Sequence, residues 1–188
     1  MQPGLSSVRL LLEPQVTSHA DEMFLHLQNP ALYTYIPSDV PQNLVALRLR
    51  YTRQESRRSP DGSEAWLNWI VRLKGSIGSD KTPCIGFVQA TVCLQEKTAL
   101  VAYTVFQEFW RHGYAKEALT SMLDHLFAHY DLSAAEALID TRNIASTSLV
   151  EAVGFTQVEF LPQADFFKGE HSDEYRYRLD RSPISNSA

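Results

Sequence analysis

The chain has 188 residues, of which 44% are hydrophobic and 21% charged, and this composition is typical of a globular protein. That length suffices for one domain with a sizeable core, which we expect over residues 8–181, followed by a loose tail at 182–188. The formal net charge of −5 argues against binding to duplex nucleic acid, because neutralising phosphates requires a basic face. No apolar run approaches membrane-spanning length, so we expect a cytoplasmic protein that does not bind a membrane.

The N-terminal part of the chain alternates between strand and helix patterns. Residues 8–13 are predicted as a strand and residues 18–28 as a helix with a polar cap and acidic side chains in its first turn. Residues 31–41 combine aromatic side chains with residues that oppose a helix, so they are predicted as an irregular loop. This loop either lines a substrate cleft or plugs the hydrophobic core.

A second helix, a strand and a β-hairpin follow. The patterns predict a helix over residues 43–58, a strand over 66–73, a turn over 74–83, and strands over 84–93 and 98–105 that pair as a hairpin. Five arginines within this predicted helix make the one local basic cluster, which we interpret as a solvated helix face: Arg48, Arg50, Arg53, Arg57 and Arg58.

Cysteine and histidine give no sign of a redox or metal centre. The odd separation of Cys84 and Cys93 predicts that they point to opposite faces of their strand, so we expect two reduced, half-buried thiols. His125 and His129 are four residues apart on a predicted helix, and we interpret them as its solvent-side edge. We therefore predict no metal site.

The most informative segment is a short loop between an apolar strand and an amphipathic helix. The strand spans residues 98–105, and the apolar positions of the following helix, from Ala115 to Tyr130, recur at spacings of three and four. Packing against a sheet would leave the backbone N–H groups of the first helical turn free, and Gly113 allows a ligand to approach the backbone closely. The junction predicts a phosphate site, with an ordinary strand-to-helix turn as the alternative.

A second segment, residues 140–155, follows another short apolar strand at residues 137–139. With it, the chain resembles the GNAT family of acetyl-CoA-dependent N-acetyltransferases, whose phosphate loop and later Asn-x-x-Ser and Gly-Phe motifs occur here in the same order. The first motif reads Trp-Arg-His-Gly-Tyr-Ala at residues 110–115, and the second lies within residues 143–155. Trp110, the preceding Tyr-Thr-Val and the Tyr-Ala-x-Glu-Ala that ends the loop resemble the RimJ/RimL-type branch, which acetylates the N-termini of ribosomal proteins.

The resemblance implies an α/β fold with a central, twisted, mostly antiparallel sheet that splays open and is flanked by helices. It also implies that acetyl-CoA is the cosubstrate, with pantetheine beside the splayed strand and the pyrophosphate on the loop. The residues thereby assigned to acetyl-CoA are Thr104, Val105, Phe106, Trp110, Arg111, His112, Gly113, Tyr114, Ala115 and Asn143. A simple helix-capping role is the alternative for Asn143.

Direct acetyl transfer in a ternary complex is the reaction that the resemblance implies. The backbone N–H of Val105 or Phe106 would meet the thioester carbonyl. Many family members protonate the leaving thiolate with a tyrosine, but Val150 occupies that place here. Ser146 is the expected acid instead, with capping of a helix as its alternative.

A carboxylate is the expected general base. The RimL-type branch carries a glutamate in a Gln-Ala-Glu-Phe setting, and this chain reads Gln-Ala-Asp-Phe at residues 163–166, which points to Asp165. Its alternative role is to cap a turn. Strands are predicted at residues 156–160 and 175–179, with a mobile loop before the second. Four further residues are candidates for the base, three of them in that loop: Glu108, His171, Asp173 and Glu174.

The identity of the acceptor amine remains open at this level. The resemblance favours a protein or peptide N-terminus. The alternatives are a small amine, such as an antibiotic, an amino acid or a polyamine, and a non-catalytic module that binds acyl-CoA as a sensor. We expect acetyl-CoA and an amine acceptor as partners, no nucleic acid and no membrane, and a monomer or homodimer.

Overall fold

A computed structural model describes residues 2–75 and 82–181; most of the predicted 74–83 turn and the predicted tail lie outside these ranges. Four helices have the bounds α1 His19–His26, α2 Leu44–Glu55, α3 Tyr114–His129 and α4 Ile144–Val153. Eight strands have the bounds β1 Leu5–Ser6, β2 Leu10–Pro14, β3 Glu64–Leu73, β4 Cys84–Cys93, β5 Thr98–Val105, β6 Ala134–Asp140, β7 Thr156–Phe167 and β8 Glu170–Asp180. Short 3₁₀ turns occur at Pro30–Tyr33 and Gln107–Phe109.

The described strands form one sheet in the order β1-β2-β3-β4-β5-β6-β8-β7. Every neighbouring pair is antiparallel except β5 and β6, which run parallel. This arrangement confirms the predicted mixed α/β fold and the predicted hairpin of β4 and β5. Among the described helices, none is long and apolar enough to cross a lipid bilayer.

Helices cover the two faces of the sheet unequally. The larger core lies between α3, α4 and one sheet face, and it includes Trp69, Met122 and Val150. A smaller core lies under α1 and α2 on the other face and includes Met23 and Leu47. We call these the α3/α4 face and the α1/α2 face. Because side chains alternate along a strand, each position can be assigned to one of them.

The parallel pair β5 and β6 opens into a cleft. Their pairing is limited to Thr98–Leu100 of β5 and Ala134–Glu136 of β6, although both strands continue for several residues. The two strands therefore diverge toward Val105 and Asp140, and the far end of β5 has no backbone partner from β6. This splayed geometry is the one that the family resemblance implied.

A β-bulge in β4 changes the expected placement of the cysteines. The register between β3 and β4 shifts between Cys84 and Gly86. Ile85 and Val88, an odd number of residues apart, both lie in the core of the α3/α4 face. Cys84 instead packs under α1 on the α1/α2 face. The odd separation from Cys93 therefore does not place the two thiols on opposite faces, because the bulge inserts one residue into the alternation. Both thiols are free, and Cys84 is buried.

The N-terminal strand and its following loop differ in detail from the prediction. The strand begins at Leu10, and Val8 is exposed. In the loop at residues 31–41, Tyr33 is buried and its hydroxyl donates to the Leu27 carbonyl oxygen at 3.0 Å, whereas Tyr35 is exposed. The start of the loop therefore packs into the protein interior through Tyr33, and the segment after it is exposed.

Two expectations are wrong, one about the position of His125 and one about the loop before the last strand. His125 is buried on α3 with its ring 5.9 Å from the ring of Trp69, so it belongs to the core and not to the solvent-side edge. The predicted mobile loop before the last strand is also absent from the described residues. β7 and β8 instead extend to a turn at Lys168 and Gly169, whose φ angles of 54° and 83° suit a tight hairpin.

Candidate active site

The loop between β5 and α3 presents its backbone N–H groups to solvent. Gly113 caps α3 with φ of 77°, and Arg111 also adopts a left-handed conformation with φ of 63°. Within the described part of the chain, no acceptor pairs with the backbone N–H groups of residues 111–116, and the first bond into the helix is from Glu117 to Gly113. Free N–H groups at the positive end of a 16-residue helix favour an anion.

Arg9 holds this loop from the side. Its guanidinium pairs with Glu117 at 2.6 Å, donates to the His112 carbonyl oxygen at 3.0 Å and lies 4.6 Å from the centre of the Tyr114 ring. Sequence reasoning missed this residue, because Arg9 is separated by about a hundred positions from the loop and carries no motif. The tether stabilises the loop conformation in which the N–H groups point outward.

The open end of β5 supplies further backbone donors. The indole Nε1 of Trp110 donates to the Val105 carbonyl oxygen at 2.6 Å, so this carbonyl points away from β4. The N–H of Val105 points the same way, toward the cleft, because both backbone groups of a strand residue lie on the same side. Val105 is thus positioned as one of the two predicted carbonyl-binding donors.

Phe106 and Thr104 do not share that position. The N–H of Phe106 donates to the Ile85 carbonyl oxygen at 2.8 Å, its own carbonyl accepts from Phe109, and its side chain is buried. The register pairs Thr104 with Phe87 of β4, and by alternation its backbone groups are directed into that ladder. The backbone groups of Phe106 and Thr104 therefore do not face the cleft.

Ser146 and Asn143 lie at the start of α4, on the opposite lip of the cleft. The Asn143 side chain accepts from the Ser146 N–H at 3.2 Å, so it caps the helix as one of its two predicted roles requires. The Ser146 hydroxyl lies 2.6 Å from the hydroxyl of Tyr103, which extends from the α3/α4 face of β5. Burial raises the pKa of Tyr103 to about 12, so this phenol remains a hydrogen-bond donor at neutral pH.

Three carboxylates gather on the other face of the sheet, where β6, β8 and β7 meet. The register places Asp140 opposite Glu174, and a bulge in β7 brings Asp165 opposite Ser172, which lies two residues from Glu174 on the same face. Ser172 donates to Asp140 at 2.6 Å. Asp173 and Glu174, predicted in a loop, are therefore held in a strand.

The pKa values of two of these carboxylates are shifted in opposite directions. Burial raises the pKa of Glu174, and the negative charges of Asp165 and Asp140 raise it further. Burial also disfavours the charged form of Asp140, but hydrogen bonds from Arg142 and Ser172 outweigh that effect and lower its pKa to about 2. A proton-accepting carboxylate is favoured by a raised pKa, which Glu174 has.

The candidate acid and the candidate base lie on opposite faces of the sheet. Tyr103 and Ser146 lie toward α3 and α4, on the side of the phosphate loop. Asp140 alternates with the core residues Ala137 and Ile139 and so faces away from α3, together with Asp165 and Glu174. A cofactor on the loop side and an acceptor on the carboxylate side would therefore meet at the end of β5.

Comparison with known sequences finds a family model and a full-length relative. A model of the acetyltransferase (GNAT) domain matches residues 9–156. An uncharacterized N-acetyltransferase of Bacillus subtilis (strain 168), YoaA, is 22% identical over 179 residues, covering 95% of this chain and 97% of the relative.

Comparison with solved structures finds the same fold at low sequence identity. RimL, a ribosomal L7/L12 alpha-N-protein acetyltransferase solved in complex with coenzyme A, superposes with a TM-score of 0.81 at 17% identity over 95% of this chain and 98% of that chain. Spermidine N-acetyltransferase from Vibrio cholerae, solved with CoA and spermine, gives a TM-score of 0.78 at 16% identity over 93% and 96%.

Proposed function

Because this chain belongs to the GNAT acetyltransferase family, we propose that it transfers an acetyl group from acetyl-CoA to the N-terminal amine of a peptide or protein. The observation that carries this proposal is the shared cleft: the free N–H groups of residues 111–116, the open edge at Val105 and the hydroxyl of Ser146 all border it. An anionic, amide-containing thioester has matching groups for each of these donors.

The residues of the loop fit the cofactor in two ways. The N–H groups of residues 111–116 would hold the pyrophosphate, with Gly113 leaving room for close approach and Trp110 closing the loop onto Val105. The edge of β5 that lies beyond its pairing with β6 would hold pantetheine amides. Asn143 retains an amide N–H₂ for the same purpose while its oxygen caps α4.

Each chemical requirement of acetyl transfer has a residue. Acetyl-CoA supplies an activated acyl group. In this proposal the Val105 N–H polarises the thioester carbonyl, and the Ser146 hydroxyl, 2.6 Å from the Tyr103 hydroxyl, protonates the leaving thiolate. We assign to Asp165, with Glu174 beside it, the removal of the proton from the amine on the opposite face.

A small cationic amine is the second candidate acceptor. The observation that favours it is the group of carboxylates at Asp140, Asp165 and Glu174, which would attract a polyamine. The structural neighbours divide in the same way, since RimL is an acetyltransferase of a ribosomal protein and the Vibrio cholerae enzyme is an acetyltransferase of spermidine. We favour the peptide because Trp110 matches the RimL-type branch and the Gln-Ala-Asp-Phe segment at residues 163–166 differs from that branch's Gln-Ala-Glu-Phe by one methylene group.

Calorimetry with acetyl-CoA, followed by thiol release with peptide and polyamine panels, tests the proposal. Gly113→Ala should weaken acetyl-CoA binding, because the new methyl group occupies the space at the phosphate loop and strains a left-handed residue. Gly62→Ala is the matched control, since Gly62 has a similar φ of 75° in open space on a remote turn. Equal loss of binding in both variants, or no binding by the folded wild type, would contradict the proposal.

A further inference from the structure

We propose that a polar cavity between α2 and the sheet binds the carboxylate of an acidic side chain near the N-terminus of the acceptor peptide. This inference rests on the proposed function, because it names the class of peptide that the cleft accepts. The cavity has a volume of about 310 Å³ and lies on the α1/α2 face. Its lining includes Arg50 and Arg53 of α2, Trp66 and Asn68 of β3, and Gln89 and Thr91 of β4.

Two arginines of the cavity have no ion-pair partner within the described residues, and the Glu64 carboxylate accepts instead from the indole N–H of the lining residue Trp66 at 2.9 Å. Neither Arg50 nor Arg53 has a carboxylate partner within the described residues, whereas Arg48 on the same helix pairs with Asp21. The two arginines give the cavity a local positive charge in a chain whose formal net charge is −5. Guanidinium groups bind carboxylates through paired, charge-assisted hydrogen bonds, so the expected ligand is an anion.

The floor of the cavity adds an unused hydrogen-bonding group. Asn68 is only 8% exposed, and its side-chain amide has no hydrogen-bond partner among residues 2–75 and 82–181. The amide of Gln89, its cross-strand neighbour, likewise makes no hydrogen bond to the described residues. Because both amides border the cavity, a ligand that reaches its floor finds N–H donors that no described residue uses.

The cavity and the reactive end of β5 share one sheet face. Gln89 pairs with Ala102 of β5, and Phe87 pairs with Thr104, one residue before Val105. Because strands rise about 3.4 Å per residue and lie about 4.8 Å apart, the backbone of Gln89 is about 8 Å from that of Thr104. The exposed Ala102 leaves the path between them open.

This separation selects a peptide over a free amino acid. The carboxylate of an amino acid lies within about 4 Å of its own amine, which is too close to reach both positions. An extended peptide spans about 3.4 Å per residue, so the side chain of its third or fourth residue reaches the cavity when its amine lies at the end of β5. An acidic third or fourth residue is therefore the expected recognition feature.

Binding is tested without turnover, by titrating peptides into the protein saturated with CoA, which cannot donate an acetyl group. The probes are alanine-rich peptides with a free N-terminus and either glutamate or glutamine at the third residue. The glutamate peptide should shift the indole N–H signal of Trp66 and bind about tenfold more tightly than the glutamine peptide. Arg53→Ala and Arg50→Ala should remove that difference, while Arg48→Ala, outside the cavity, should retain it.

Kinetics with acetyl-CoA provides the second measurement. The KM for the glutamate peptide should rise about tenfold in Arg53→Ala with kcat unchanged, and the KM for the glutamine peptide should not move. Equal binding of the two peptides by wild type, or an unchanged preference in both arginine variants, would overturn the inference. Selective binding without acetylation of any peptide would instead reject the proposed function and leave the cavity's preference for carboxylate standing.

Discussion

The phenolic oxygen of Tyr103 and the Oγ of Ser146 lie 2.6 Å apart across the cleft between β5 and α4. The same phenol also donates to the Ser146 carbonyl oxygen at 3.2 Å. These contacts fix the position of the serine that we propose as the acid. They also connect the strand that would hold the thioester to the helix that would protonate the leaving group.

Ser146→Ala should lower kcat by about 100-fold, because it removes the proton donor to the leaving thiolate. Tyr103→Phe should lower kcat less, since the serine remains but loses its positioning partner. Steady-state kinetics of both variants and of the double variant would show non-additive losses, as expected for residues that act as a unit. Ser148→Ala, on the exposed side of the same helix, is the control. Additive losses would show that the two hydroxyls act independently.

The carboxylates on the other face make a distinct prediction. Asp165→Asn should lower kcat by about 100-fold, because the amine loses its proton acceptor, whereas Glu174→Gln should cost less than tenfold. Glu159→Gln, on the same strand, should leave kcat near that of wild type. The reverse order of the first two effects would assign the base to Glu174, the residue whose pKa is raised.

The Asp165→Asn variant should also show a changed titration of the Glu174 carboxyl group. The negative charge of Asp165 contributes to the raised pKa of Glu174, so Asp165→Asn should move its midpoint to lower pH. Carbon-detected NMR of the glutamate carboxyl groups measures that midpoint. An unchanged midpoint would show that the two side chains are farther apart in solution than their register implies.

Asp140 should contribute to stability in a defined pH window. Its pKa is lowered from 3.8 to about 2, so its charged form is favoured in the folded state. The resulting stabilisation, about 2 kcal/mol, is present above pH 4 and lost as the pH falls toward 2. Asp140→Asn should therefore be less stable than wild type at neutral pH and lose less stability on acidification. Urea unfolding at several pH values, with the exposed Asp124→Asn as control, tests this.

The two cysteines should differ in reactivity. Burial raises the pKa of Cys84 to about 12, so its thiol should not react with Ellman's reagent in the folded protein, whereas the partly exposed Cys93 should. One thiol is expected before unfolding and two after it. Cys93→Ser should abolish the reaction of the folded protein. Rapid titration of both thiols under native conditions would contradict the burial of Cys84.

The local sequence determined helices and strands such as α3, β4 and β5, whose formation depends on residues close together in the chain. The periodicity of the apolar residues predicted the helix α3, and the structure has it at Tyr114–His129. The strands β4 and β5 were also predictable. The loop that follows β5 made the family predictable as well. These features depend on backbone propensities and spacing within a few turns of chain, which a single sequence displays.

Tertiary structure alone decided which distant side chains meet. The bulge in β4 altered the face of Cys84, and the bulge in β7 brought Asp165 near Glu174. The contact of Tyr103 with Ser146 spans 43 residues, and the cavity at Arg50 requires a helix to lie over two strands. Register and face depend on long-range pairing, and one inserted residue reverses the outcome, so local patterns could not predict these contacts.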